Sequence, residues 1–67
     1  MPAIKSSMIT FAEYDEAERG LEITFTNGTV HIYFDVPSET YDNFINASSQ
    51  GKYFNQNIKN EYRTKKQ

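Results

Sequence analysis

The sequence predicts an α+β fold, a three-stranded antiparallel meander followed by two C-terminal helices packed on one face. Three observations carry this. Asn27-Gly28 stands between two runs that alternate apolar and polar residues, Leu21 to Thr26 and Thr29 to Phe34. Val36-Pro37 closes the second run, because proline gives no ladder donor and holds its predecessor extended. Beyond it, apolar residues return at spacings of three and four, the period of a helix face.

Met1 to Ser7 is expected to be a loose lead-in. A first strand is expected from Met8 to Tyr14, on Ile9, Phe11, Ala12 and Tyr14. Its alternation breaks near Phe11-Ala12, where a bulge or bend would restore it. Asp15 to Arg19 forms a polar turn, and Gly20 releases the chain into the hairpin. Asn-Gly tolerates positive φ at both central positions of a type I′ turn, so a two-residue loop is expected. That loop pairs Phe25 with Val30, Thr24 with His31, Ile23 with Ile32, Glu22 with Tyr33 and Leu21 with Phe34. It gathers the six large apolar residues on one face and leaves His31 and Tyr33 on the polar one. A one-residue slip would undo this sorting.

The apolar face needs cover, since an open ribbon is unstable in water. Ser38 is the expected N-cap of the first helix, with Glu39 in the turn where the dipole favours an anion. Tyr41, Phe44, Ile45 and Ser48 fall on one side of it. Gly51 is expected to end this helix in the left-handed conformation. The second helix is expected from Lys52 to about Tyr62, with Phe54, Ile58 and Tyr62 as its inner stripe. The basic tail, residues 63–67, is expected to fray.

Composition narrows the function. Sixty-seven residues make one domain, with 37% apolar residues and 15% aromatic ones, all Phe or Tyr. A chain this short buries only about 60% of its unfolded surface, so its rings must supply much of the core. Without cysteine there is no disulfide, thiolate chemistry or Cys-based zinc site. No apolar run reaches the ~18 residues of a membrane span, and the N-terminus has no signal-peptide core. A cytoplasmic protein without a membrane role is the expectation. The net charge of −2 is uneven: residues 1–36 carry six acids against two bases, and residues 37–67 carry three against five. Such a spread serves solubility, and it equally suits a basic face that meets an anion.

Catalysis lacks its parts. The single histidine, His31, pairs with Thr24 rather than with a carboxylate, and no Ser-His-acid set can be assembled around it. Asp15, Glu16 and Glu18 lie in a solvated turn. The three glycines are too far apart for a phosphate loop. No enzyme activity, cofactor or metal is expected. Binding is better provided for. Lys52, Asn55, Gln56, Lys59 and Arg63 recur on the side of the second helix away from Phe54 and Ile58. Cations interleaved with amides suit phosphates and sugar hydroxyls, and they also suit a plain wet face. His31 and Tyr33 share a side of one strand and could stack bases, unless a helix or a second subunit covers them.

These residues resemble the KTSC domain, a module found alone in bacterial and phage proteins and at the C-terminus of some lysyl-tRNA synthetases. The resemblance runs from about Ser7 to Tyr62. It rests on Tyr14-Asp15, Leu21, Phe25, Gly28, Val36-Pro37, Tyr41, Ser49-x-Gly51, Phe54-Asn55, Ile58 and Tyr62. The family's Tyr-x-Tyr reads His31-Ile32-Tyr33 here, and Lys59 stands where arginine is frequent. The resemblance implies an RNA-associated role, through the synthetase context. The expectation is therefore a non-enzymatic nucleic-acid-binding module, RNA before DNA, using His31, Tyr33, Lys52, Asn55, Lys59 and Arg63. The alternative is a protein-binding module, a small regulator or inhibitor from a phage or mobile element. It would act through Tyr33, Glu22, the acidic turn and the edge strands, as a monomer or weak homodimer.

Overall fold

The computed structural model describes residues 6–67. The elements run β1 (Ile9–Asp15), β2 (Gly20–Phe25), β3 (Val30–Tyr33), α1 (Ser38–Ile45), α2 (Gln50–Asn57) and β4 (Thr64–Lys66). They form one antiparallel sheet in the order β1-β2-β3-β4, so the sheet has four strands rather than the three expected. The loose lead-in expected over Met1 to Ser7 lies, up to residue 5, outside the described residues. Beyond it, the Ser6 hydroxyl accepts from the Met8 and Ile9 amides at 3.0 and 3.2 Å and starts β1. The irregularity in β1 falls between Ile9 and Phe11, just ahead of its expected place.

The hairpin turns differently from the expected two-residue loop. The Gly28 amide donates to Phe25 O at 2.9 Å, and the Phe25 amide donates to Thr29 O at 2.8 Å. Gly28 has φ 89, while Asn27 is not in the left-handed region. This is a three-residue loop, a type I turn closed by a glycine bulge. The Asn27 side chain supports it by accepting from the Thr29 amide at 2.9 Å. The longer loop slips the register by one. Leu21 now pairs with Tyr33, Glu22 with Ile32, Ile23 with His31 and Thr24 with Val30. His31 and Tyr33 therefore share the face of Leu21 and Ile23, and Val30, Ile32 and Phe34 go to the other side. Tyr33 is 2% exposed and belongs to the core, which corrects its placement on an open polar face.

That core consists of Ile9, Ala12, Leu21, Ile23, Tyr33, Val36, Phe44, Phe54 and Ile58. Burying each large apolar side chain contributes roughly 1.5–3 kcal/mol. The Phe54 ring meets Phe25 and Tyr33 edge-on, at 5.6 and 5.4 Å. Tyr14 stacks on Tyr41 at 4.7 Å and donates its hydroxyl to Val36 O at 2.6 Å.

Four helix details also differ. Pro37 rather than Ser38 is the N-cap of α1: its carbonyl, held at ψ 147, receives the Thr40 and Tyr41 amides. Ser48 falls beyond α1, which stops at Ile45. Gly51 sits in the first turn of α2, whose N-cap is Ser49. It is a glycine of close approach, since a Cβ there would lie 3.0 Å from Ser6 Oγ. The second helix ends at Asn57 instead of Tyr62. The Asn57 side chain donates to Tyr53 O at 3.2 Å and competes with the helical bonding, in a segment rich in poor helix formers. Ending early frees the chain to return as β4. There His31 pairs with Lys66, Ile32 with Lys65 and Tyr33 with Thr64, so the tail expected to fray closes the sheet.

Candidate functional site

A groove with a cavity volume of about 330 Å³ opens between the β2–β3 hairpin and α2. Met8, Phe25, Thr26, Asn27, Thr29, His31, Tyr33, Phe54, Asn55 and Lys59 line it. Its floor is aromatic. His31 lies edge-on to Phe25 at 5.4 Å and 6.3 Å from Tyr33, and Phe54 closes the set from below. Phe25 and His31 are half-buried, so their outer surfaces are the ones a planar ligand could meet. Burial of the Tyr33 phenol raises its pKa above 10.0, with a Thr64 hydrogen bond offsetting part of the shift.

A second, more polar groove of about 550 Å³ adjoins the first and shares Met8 and Asn55 with it. Its remaining wall is Ser6, Ser7, Ser48, Ser49, Gly51, Lys52 and Gln56. The two form one path along the exposed side of α2, and Asn55 stands at the junction. Lys66, opposite His31 in the ladder, faces the same side of the sheet.

The fold thus brings five of the six expected residues to this path: His31, Tyr33, Asn55 and Lys59 to the first groove and Lys52 to the second. Arg63 is elsewhere. Its guanidinium lies 5.0 Å from the centroid of the Phe34 ring, on the outer face of the sheet. Tyr33 is present as floor rather than as a stacking platform, and Phe25 takes the position beside His31. The sequence reading missed Phe25 and Met8. Gly28 as a bulge residue would have pointed to the first of these, because the slipped register follows from it.

Among the described residues, no group of three or more His, Cys, Asp or Glu side chains could hold a metal ion. None of the described helices is long and apolar enough to cross a membrane.

A model of the KTSC domain matches residues 5–62. The chain belongs to the KTSC domain family. It is similar to the crystal structure of a KTSC domain protein from Yersinia pestis, with a TM-score of 0.93 and 34% identity over 97% of this chain and 92% of that one. A protein of Tsukamurella paurometabola is 38% identical over 94% of both chains. A lysine–tRNA ligase of Nostoc punctiforme is 34% identical over 88% of this chain, which spans 10% of the ligase. The family residues of this KTSC domain mostly build the fold. Leu21, Val36, Phe54 and Ile58 are buried, Tyr14 and Tyr41 stack, Gly28 turns the hairpin, and the Tyr62 hydroxyl lies 3.3 Å from that of Thr40. Asn55 is different. It is exposed and makes no side-chain hydrogen bond among the described residues.

Proposed function

We propose that this KTSC domain is a non-enzymatic module that binds single-stranded nucleic acid, RNA before DNA, along the two joined grooves. The observation that carries the reading is the position of Asn55. A family residue with no structural bond of its own stands where an aromatic floor meets a polar, lysine-flanked channel. Lys52, Lys59 and Lys66 neutralise phosphates along the path, Asn55 bonds a sugar or base edge, and a base stacks on His31 and Phe25. Stacking on such a platform contributes ~1–3 kcal/mol per base and tolerates any base. A similar stretch occurs within relatives named as lysine–tRNA ligases, enzymes whose name implies a tRNA substrate, which supports RNA ahead of DNA.

Fluorescence anisotropy with a short labelled single-stranded RNA tests this. Three phosphate contacts give a log–log salt slope of about −2 for a single strand. Lys59→Glu and His31→Ala each weaken binding about tenfold, the expected size for one contact or one stacked base. Arg63→Gln, away from the grooves, leaves the affinity unchanged. A salt-insensitive interaction, or one indifferent to Lys59→Glu, contradicts the reading and moves the function to a protein partner.

A further inference from the structure

The outer face of the sheet carries a second surface. Antiparallel partners point to the same side, so Glu13, Glu22, Ile32 and Lys65 form one row across β1 to β4. The next row runs from Asp15 and Gly20 to Phe34 and Arg63, the Phe34 amide donating to Arg63 O at 2.9 Å. On the other side lie Phe11, Thr24 and Val30. The helix rings meet the inner face, through Phe54 and Tyr41, and Phe11 is left 37% exposed on the outer one. The middle of this face is apolar, its β1–β2 half is acidic and its β4 edge is basic.

Two features of these rows are unsatisfied in the single chain. Glu13 and Glu22 are directly opposed like charges, a destabilising pair unless a cation sits over them. Beside them a hollow of about 330 Å³ opens between the acids, Ile32 and Phe34. Gly20 is at its base, and a Cβ there would meet no atom within 4 Å. One operation answers both. A twofold axis parallel to the strands lays β1 of one copy over β4 of the other, and β2 over β3. Lys65 then covers Glu13, Arg63 covers Asp15, and the Phe34 ring of each copy enters the hollow at Gly20 of the other.

We propose that this face is a homodimer interface, on which a second copy of the chain docks as an aligned, face-to-face sandwich. The same patch serves both copies, as a twofold contact requires, and sheets packed this way lie roughly 10 Å apart. The grooves lie on the opposite side of the sheet and stay open. A four-stranded face spans only about 15–20 Å each way, so the dimer is weak and forms at high protein concentration.

Sedimentation equilibrium of the full chain, up to millimolar concentration, tests the proposal, with circular dichroism melts to show that each variant folds. The unaltered chain dimerises. Glu13→Lys and Lys65→Glu each raise the dissociation constant about tenfold, by placing like charges across the interface. The double variant E13K/K65E regains the dimer, because the swapped charges again oppose. Gly20→Gln, which fills the hollow without touching the core, abolishes association. A chain that stays monomeric throughout, or a dimer indifferent to the single charge reversals, overturns the proposal.

Discussion

Gly28 decides which residues of β3 face inward. At φ 89 it occupies a conformation that costs a side chain roughly 1–2 kcal/mol, so Gly28→Ala lowers stability by about that amount in urea unfolding. Tyr33, which the turn places in the core, has a second signature. Burial raises its pKa, so the neutral phenol is the form the folded state favours. The resulting stability is present below pH 10.0, the ordinary value, and is lost as the pH rises through the raised one. Tyr41 shifts the same way, through burial and then the charges of Asp42 and Glu13. Urea midpoints should therefore fall as the pH rises above about 10, and Tyr33→Phe should flatten that fall. A Y33F profile parallel to that of the unaltered chain contradicts the role given to this phenol. The turn shows the limit of what could be read in advance. Asn-Gly serves a two-residue loop and a three-residue loop with a bulge equally well. Val30, Ile32 and Phe34 alternate with His31 and Tyr33, which also bury well, so the pattern of β3 permits either register.

Elements were more legible than their ends. β1, the hairpin strands and α1 follow from alternation and from Pro37, because local chemistry sets them. The end of α2 and the existence of β4 depend on tertiary pairing, which the mostly polar stretch from Lys59 to Gln67 does not advertise. Thr64, Lys65 and Lys66 are exposed, as an edge strand blunted against further pairing should be. The strand still contributes. Its bonds include the Gln67 amide to Val30 O at 2.8 Å and Thr64 Oγ1 to Ile32 O at 2.8 Å. Ending the chain after Arg63 should cost at least about 2 kcal/mol, at ~1 kcal/mol for each of these two bonds. Amide exchange at Ile32 should quicken with it. A truncated chain of unchanged stability would mean that the tail frays after all.

At the scale of the whole molecule, the slipped register separates two surfaces. Lys52, Lys59 and Lys66 lie with the grooves, whereas Glu13, Asp15 and Glu22 lie on the outer face with Arg63 and Lys65. A chain with a net charge of −2 can therefore present a locally basic path to an anion. Most of the candidate site was visible in the sequence as the amide and lysine spacing of α2. The aromatic half was legible only as residue types, because its geometry waits on the register of a neighbouring strand. The most direct test is an amide-shift NMR titration of the domain with a short single-stranded RNA, at low and then physiological salt. Shifts concentrated at Thr29, His31, Lys52, Asn55 and Lys59, and weakened by salt, are the predicted result. No shifts, or shifts confined to Glu13, Glu22 and Ile32 on the outer face, would contradict the account.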